Sequence, residues 1–286
     1  MAPDTHSIAA TRLEIKKLHP TIGAEVVGLD LRQPIDGATA AALRQAWYDH
    51  SVLLLRGQTL TDEQQVAYGE VFGPLMLAHA TRRLAGRPQS IMLISNIREN
   101  GKPIGALPDG EMFFHSDLCY IEHPVVGTML YGVEVPSVGG NTLFADQYAA
   151  YEALPAAMQA TIDPLRATNR YEIGYDVTIR RGRAAEDAPH WTHPMVRIHP
   201  KTGKKALYVN RLMTHDIEGM EEAEAEALLA QLYDHHEQKR FVYEHQWQPG
   251  DIILWDNRCT LHARTDFSPS ERRLLRRITI QKDIEV

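Results

Sequence analysis

The spacing of hydrophobic positions predicts a mixed α/β layer in the first third of the chain. Apolar residues at helical spacing predict a helix over residues 39–50. Thr61 and Gln64 have the spacing of a capping box, which predicts a second helix from residue 61 to about residue 72. Short apolar runs of the kind that form strands lie at 13–18, 23–27 and 51–55.

The remaining two thirds of the chain have the pattern of a β structure. Between residues 75 and 114 the apolar fragments are short, which predicts long connections of the kind that form lids or binding loops. Strand-like runs then recur between turn signals at 125–135, 142–145, 195–199, 206–209, 241–247, 251–255 and 274–281. Many short strands are typical of a sandwich or a barrel. Helical spacing interrupts the series at 149–160 and 221–238.

These elements predict a fold that is mainly β with flanking helices, an α+β architecture. The chain contains no internal repeat, no low-complexity tract and no linker-like segment. We therefore predict a single domain over residues 1–286.

Composition and charge exclude several classes of protein. With 44% hydrophobic and 23% charged residues, the chain has the composition of a globular protein rather than a fibrous or disordered one. Thirty basic and thirty-seven acidic residues give a formal charge of -7 without a long basic block, so nucleic acid is not an expected partner. A signal-peptide core and a membrane-spanning apolar run are both absent from the sequence, so we expect a cytoplasmic protein that does not contact a membrane.

Cysteine usage adds little to this picture. Cys119 and Cys259 can form at most one disulfide, and neither has the spacing of a metal or redox motif. The sequence leaves open whether the chain forms a homo-oligomer.

The first candidate for metal chemistry is the segment His115-Ser116-Asp117. It follows Phe113 and Phe114. In an extended segment residues two apart project to the same face, so His115 and Asp117 can converge on one ion. This short motif occurs often by chance and is weak evidence when taken alone.

A second candidate segment lies in the last third of the chain. An apolar strand at 252–255 is followed by a polar turn and then by His262, which predicts that this histidine lies at the end of a strand in the mouth of a barrel. Two histidines and one carboxylate form the facial triad of non-haem Fe(II) oxygenases, which leaves metal positions open for substrates. Zinc accepts the same ligands, so the triad alone leaves an oxygenase and a zinc-water hydrolase both open.

Two arginines near the end of the chain point to an anion. Arg273 and Arg277 are four residues apart in a run rich in apolar and β-branched residues, which favours a strand. On a strand both would face the interior, whereas Arg272 and Arg276 would face the opposite side. A buried arginine needs an anion, which is either an acidic residue of the protein or a ligand carboxylate held by the guanidinium fork. The residues alone leave both interpretations open.

Taken together, these motifs resemble the TauD/TfdA family of Fe(II)- and 2-oxoglutarate-dependent dioxygenases. The resemblance covers nearly the whole chain in order and is specific as a set. The segments that carry it are His115-Ser116-Asp117, 139–143, 203–210, 255–262 and the arginine run at 272–277.

The resemblance implies a double-stranded β-helix, or jelly-roll, core with helices packed around it. It implies that His115, Asp117 and His262 are the Fe(II) ligands. Thr142 and Arg273 match the family residues that bind the distal carboxylate of the co-substrate 2-oxoglutarate.

Arg277 matches the arginine near the metal-side carboxylate of 2-oxoglutarate, and in the taurine enzyme near the substrate anion. The activity that the resemblance implies is hydroxylation of a small organic anion by O2 and 2-oxoglutarate, with formation of succinate and CO2. The substrate would be a carboxylate, such as an aryloxyalkanoate, or a sulfonate.

The expected substrate pocket departs from the taurine branch of the family. Glu111 and Phe114 stand where that branch has Asn and Trp, so taurine is not the expected substrate. Besides Arg277, the candidate pocket residues are His79, Asn96, Phe113 and Met213. Core packing or loop stabilisation is the alternative role of each of these four.

Two other functions remain open at this stage. A metal-dependent hydrolase would use the triad without 2-oxoglutarate, and a non-catalytic barrel would bind a small acid without turnover. The match at all of these positions together favours the dioxygenase over both.

Overall fold

The computed structural model describes residues 13–79, 85–106, 112–171 and 188–284. The helices are α1 (Gly37–His50), α2 (Asp62–Glu70), α3 (Gln147–Glu152), α4 (Ala156–Ile162) and α5 (Glu222–His236). The strands are β1 (Glu14–Lys17), β2 (Ala24–Val27), β3 (Val52–Leu55), β4 (Met92–Ser95), β5 (Arg98–Glu99), β6 (Lys102–Pro103), β7 (Met112–His115), β8 (Gly127–Glu134), β9 (Thr142–Asp146), β10 (Arg166–Arg170), β11 (His190–Pro194), β12 (Val196–Ile198), β13 (Lys205–Leu207), β14 (Thr214–Ile217), β15 (Val242–His245), β16 (Ile252–Asp256), β17 (Thr260–Arg264) and β18 (Leu274–Ile280).

The largest sheet has seven strands in the order β1-β2-β3-β16-β8-β18-β4. Both of its faces are covered, which explains why β3 is apolar at every position. Leu53 and Leu55 project to one face and pack with Trp47 of α1 and Phe72, which follows α2. The alternate residues of β3 project to the other face and pack against the second sheet.

The second sheet has four strands in the order β15-β9-β17-β7. Phe144 of β9 packs with Leu54 of β3 and Trp255 of β16, so an apolar layer joins this sheet to the seven-stranded one. His115 ends β7 and His262 lies in β17. The four-stranded sheet therefore carries both candidate histidine ligands.

Local sequence signals fix the two helices of the first layer. Asp36 caps α1, and its side chain accepts a hydrogen bond of 2.7 Å from the backbone N–H of Thr39. Thr61 and Gln64 form the reciprocal capping box at the start of α2 that their spacing predicts. Each helix begins close to its predicted residue.

A smaller unit of structure contains three further strands and the last helix. β10, flanked by β11 and β14, forms a three-stranded sheet. Leu229 and Leu232 of α5 pack with Ile217 of β14 and with the apolar residues of α3 and α4. This unit flanks the two larger sheets.

The structure confirms a fold that is mainly β with flanking helices, and it corrects two details. The helix predicted over 149–160 is two helices, α3 and α4, because Pro155 lacks an N–H and disfavours helical geometry at the residue before it. β4, β5 and β6, which lie in the stretch predicted as long connections, and β10, β11, β14 and β17 were not predicted as strands. Both cysteines are free and buried. In the described part of the chain, none of the helices has the length and apolar character needed to cross a membrane.

Candidate metal centre and active site

His115 and Asp117 reach the site from the end of a strand and the turn that follows. His115 is the last residue of β7, whereas Asp117 lies in a turn. The strand therefore ends two residues before Asp117, and the turn brings the carboxylate beside the imidazole instead. Nδ1 of His115 lies 2.8 Å from the carbonyl oxygen of Phe113, which orients the ring and leaves Nε2 with a lone pair when Nδ1 carries the proton.

His262 comes from the neighbouring strand. The prediction that it ends a strand is wrong, because it is the third residue of β17 and pairs across the sheet with His115. The centroids of the two imidazole rings are 4.1 Å apart. Nε2 of His262 is 3.9 Å from Oδ1 of Asp117. The two strands and the turn thus bring three separate side chains to one point.

The charge of Asp117 is balanced by its neighbours. Burial alone would raise the pKa of this carboxyl, but the Arg277 guanidinium outweighs burial and holds the pKa below its usual range. Nη2 of Arg277 lies 2.9 Å from Oδ1, and the hydroxyl of Thr128 donates a 2.6 Å hydrogen bond to Oδ2. Asp117 is therefore an ionised, buried carboxylate.

The donor set fits a divalent metal ion. Burial lowers the pKa of His115 and, more strongly, that of His262, so both imidazoles are neutral at pH 7 as metal ligands must be. One donor atom from each of the two histidines and from Asp117 lies within 4.8 Å of the other two. Two imidazoles and one carboxylate are the ligands of the Fe(II) facial triad.

A second buried cluster has the residue types of a metal site but not its chemistry. It consists of His199, Asp256 and Cys259. Nδ1 of His199 accepts two backbone N–H groups, so Nε2 carries the proton that is shared with Asp256 at 3.1 Å. Arg258 binds both oxygens of the same carboxylate. Because the His199 imidazole and the Asp256 carboxylate are both hydrogen-bonded inside the protein, the cluster is a structural ion-pair network.

Arg273 is a buried cation that faces no protein carboxylate in the described ranges. It is 2% exposed, and its Nη2 donates a weak hydrogen bond of 3.4 Å to the carbonyl oxygen of Gly140. Within those ranges, Nε and Nη1 have no hydrogen-bond partner. Burial and the nearby Arg264 lower the pKa of Arg273 to about 9. Such a side chain is suited to bind an anion from outside the chain.

Thr142 lies at the start of β9, directly across the sheet from Arg264 in β17. Its hydroxyl accepts a hydrogen bond of 3.0 Å from the indole N–H of Trp247. Because that contact uses a lone pair, the Thr142 proton stays available for a ligand. The indole holds the hydroxyl in place.

The two faces of the arginine run differ as predicted for a strand. Arg272 pairs with Glu134, and Arg276 pairs with Asp62 and the carbonyl oxygen of Leu60. Arg277, by contrast, points to the metal site.

The four candidate pocket residues have different surroundings. Asn96 anchors the segment before β18, because its amide donates to the carbonyl oxygen of Glu271 and accepts from the backbone N–H of Arg273. Met213 is buried against Cys119, and the two sulfur atoms are 3.5 Å apart. Phe113 is half-buried and holds His115 through its carbonyl group.

His79 is exposed. Glu111 lies outside the residues that the structure describes. Asn96 and Met213 thus have the stabilising and packing contacts that were the alternative to a pocket role.

Sequence reasoning missed several residues around the site. Arg264 could have been found, because it is two residues after His262 and so faces the same side of β17. Thr128, Trp247 and Asn257 had no comparable signal, since their contacts join segments far apart in the sequence.

Comparisons with known proteins agree with this geometry. The family model "Taurine catabolism dioxygenase TauD, TfdA family" matches residues 14–279. An (S)-phenoxypropionate/alpha-ketoglutarate-dioxygenase of Sphingobium herbicidovorans is 35% identical over 279 residues, which cover 92% of each chain. An alpha-ketoglutarate-dependent 2,4-dichlorophenoxyacetate dioxygenase of Cupriavidus pinatubonensis is 34% identical and covers 94% of this chain and 98% of the relative.

The fold is also similar to solved structures. The crystal structure of a taurine dioxygenase from Burkholderia xenovorans superposes with a TM-score of 0.80 at 32% identity, over 96% of this chain and 92% of that one. Alpha-ketoglutarate is another name for 2-oxoglutarate, so the two relatives named above use the co-substrate that the family resemblance implies.

Proposed function

Because the chain belongs to the TauD/TfdA family of 2-oxoglutarate-dependent dioxygenases, we propose that it hydroxylates a small organic anion with formation of succinate and CO2. The chain is an enzyme that uses Fe(II), 2-oxoglutarate and O2, as its family does. The observation that carries the proposal is the buried triad of His115, Asp117 and His262 beside the Arg277 guanidinium. The two packed sheets support a double-stranded β-helix core in a single domain.

In this proposal His115, Asp117 and His262 hold the metal ion. When bound, Fe(II) supplies the activation of O2 and, with 2-oxoglutarate, the oxidising power for hydroxylation. The protein supplies two neutral imidazoles and one carboxylate, and this ligand set leaves other metal positions open. Burial of all three side chains excludes bulk water from the reacting groups.

Arg273 and Thr142 hold the distal carboxylate of 2-oxoglutarate. The guanidinium fork can bind a carboxylate through two parallel hydrogen bonds, and Nε and Nη1 of Arg273 are suitable donors. The Thr142 hydroxyl donates a further hydrogen bond while Trp247 fixes its orientation. Arg264 adds positive charge from the adjacent strand. These groups favour a dianion over a monoacid.

Arg277 selects the acid group of the prime substrate. Its Nη2 contacts Asp117 and its Nε lies 3.4 Å from the hydroxyl of Thr279. A guanidinium has five N–H donors, so it can bind a substrate carboxylate without releasing Asp117. The acid is then anchored beside the metal, with a substrate C–H group facing the ion.

An aryloxyalkanoate-like carboxylate is the substrate class that we propose. The two relatives described above act on phenoxypropionate and 2,4-dichlorophenoxyacetate. Their identities of 35% and 34% slightly exceed the 32% shared with the taurine dioxygenase, and Phe114 and Glu111 differ from the residues of the taurine branch. A sulfonate is the second candidate, because Arg277 can bind that anion as well.

A substrate screen tests the proposal. Aryloxyalkanoates, simple carboxylates, sulfonates and sulfate esters would each be incubated with the Fe(II)-loaded enzyme, 2-oxoglutarate and O2, and succinate would be measured above the uncoupled background. We expect an aryloxyalkanoate to give the largest increase, together with a hydroxylated or cleaved product in equal amount. If none of the acids increases succinate formation, the proposed substrate class is contradicted. If an acid binds but no succinate forms, a non-catalytic barrel is favoured.

A further inference from the structure

A chain of hydrogen bonds ends on the oxygen of Asp117 that Arg277 does not contact. The indole N–H of Trp255 donates to Oδ1 of Asn257 at 2.9 Å, and Nδ2 of Asn257 donates to the hydroxyl of Thr128 at 3.0 Å. That hydroxyl donates to Oδ2 of Asp117 at 2.6 Å. All four residues are buried, between 0% and 6% exposed.

The donor and acceptor of each hydrogen bond between Trp255 and Asp117 are fixed by chemistry. An indole can only donate, so the amide oxygen of Asn257 must face Trp255 and its NH2 group must face Thr128. Because the Thr128 hydroxyl accepts from that NH2 group, its own proton points to Asp117. Hydrogen bonds aligned in one direction polarise one another, and an ionised acceptor at the end strengthens the last bond.

Asn257 also fixes the backbone of the segment that carries Asp117. Its carbonyl oxygen accepts a 2.8 Å hydrogen bond from the hydroxyl of Ser116, and its Oδ1 lies 3.4 Å from the backbone N of Asp117. Leu118 has a φ of +52°, in the left-handed region that a leucine rarely adopts. Such a conformation persists where the surrounding contacts hold it in place.

We propose that Thr128 and Asn257 are positioning residues: Thr128, held in turn by Asn257, occupies Oδ2 of Asp117, so that Oδ1 is presented to the metal as a single ligand oxygen. The proposal rests on the proposed metal site. With Oδ2 held by Thr128, the carboxylate cannot rotate to bind the ion through both oxygens, so a metal position stays open for a substrate. Asn257 lies between Trp255 and His262 in sequence, so it also ties the turn carrying Asp117 to the hairpin carrying His262.

The experiment measures Mn(II) affinity of the metal-free, folded protein by calorimetry, without 2-oxoglutarate and without turnover. Thr128→Val keeps the shape of the side chain and removes the hydroxyl, and it should weaken Mn(II) binding by about 10- to 100-fold, the range typical for partners of metal ligands. Thr128→Ser restores the hydroxyl and should restore affinity to within about threefold of wild type, a small effect for a lost methyl group away from the ion. Asn257→Leu should weaken binding in the same direction.

The double variant tests whether the two residues act in series. If Asn257 acts through Thr128, Thr128→Val combined with Asn257→Leu should bind Mn(II) about as weakly as Thr128→Val alone, because contacts in one network are not additive. Separate, multiplied losses would overturn the relay through Thr128 and assign the effect of Asn257 to its own contact with the backbone N of Asp117. Should Thr128→Val not fold, Thr128→Ala replaces it, since the smaller side chain also lacks the hydroxyl.

A matched control separates positioning from general stability. Thr168 is also a buried strand threonine, whose hydroxyl pairs with that of Thr192 at 3.0 Å in the three-stranded sheet. Thr168→Val should lower the free energy of unfolding and leave Mn(II) affinity unchanged. If Thr128→Val likewise costs stability but binds Mn(II) normally, the positioning role is refuted. His262→Ala tests the metal site itself, so Mn(II) binding retained in that variant would overturn the proposed function instead.

Discussion

Nη2 of Arg277 lies 2.9 Å from Oδ1 of Asp117, so an arginine and a proposed iron ligand form an ion pair in the buried site. The two residues are far apart in the sequence, because Arg277 lies on β18 and Asp117 lies in the turn after β7. The pair keeps the carboxylate ionised before any metal arrives. It also holds a guanidinium beside the proposed metal site.

The first prediction concerns the acid group of the substrate. An acid that increases succinate formation should lose that effect as its methyl ester, because the neutral ester has no carboxylate for the Arg277 guanidinium to bind. The measurement compares 2-oxoglutarate decarboxylation coupled to each compound at equal concentration. Equal coupling of acid and ester would show that Arg277 does not select an anion.

The second prediction concerns the co-substrate. Arg273→Lys keeps the charge but loses the guanidinium fork, so KM for 2-oxoglutarate should rise more than KM for the prime substrate. Loss of a charged hydrogen-bond partner costs about 1.5–3 kcal/mol, or roughly 10- to 100-fold in affinity. Arg276→Lys is the matched control, because Arg276 pairs with Asp62 and Leu60 on the other face of the strand. An equal rise in KM in both variants would reassign Arg273 to a structural role.

The third prediction concerns the contact between α1 and the large sheet. A Cβ atom added at Gly127 would lie 2.7 Å from Cζ2 of the fully buried Trp47, so Gly127→Ala should lower the free energy of unfolding by about 1–3 kcal/mol. Gly37, the first residue of α1, has open space around it, and Gly37→Ala should be neutral or slightly stabilising. Urea unfolding of both variants checks this difference, and similar losses in the two would be inconsistent with the packing described.

The fourth prediction concerns stability at mildly acidic pH. Burial, with smaller effects from Arg211 and His235, lowers the pKa of His236 to about 3. The unfolded chain, where this pKa is about 6.5, therefore binds more protons than the folded protein between these values, and the free energy of unfolding falls as pH drops from about 6.5 towards 3. His236→Leu removes this contribution. Between pH 6 and pH 5 wild type should lose about 1 kcal/mol more than the variant.

Urea unfolding at those two pH values measures the difference. An identical pH dependence in the two proteins would mean that His236 has the same pKa in the folded and the unfolded state.

The parts of the fold that could be predicted are those in which local sequence and packing agree. β3 is a continuous apolar run because both faces of its sheet are buried, and the capping box of Thr61 and Gln64 needs no tertiary contact. β10 and β11 escaped prediction because polar residues dominate both strands. Their conformation depends on pairing with each other and with β14.

The same contrast holds for the site. The cluster of two histidines and one aspartate and the arginine pair could be predicted because motif spacing, together with the family resemblance, carries chemical information. The relay through Thr128 and Asn257 could not be foreseen, since it depends on a contact between β8 and the hairpin before β17. His262 was expected at the end of a strand because Asn257 and Arg258 resemble a longer turn, but β17 already begins at Thr260.

The most direct test of the account is an anaerobic titration with Fe(II) and 2-oxoglutarate, followed by visible absorption. We expect a charge-transfer band that requires both Fe(II) and 2-oxoglutarate, appears in wild type, and is lost in Asp117→Ala and His262→Ala. Without O2 the measurement needs no prime substrate and no turnover. Absence of the band in wild type, or a band of equal strength in the two variants, would contradict the assignment of His115, Asp117 and His262 as the iron site.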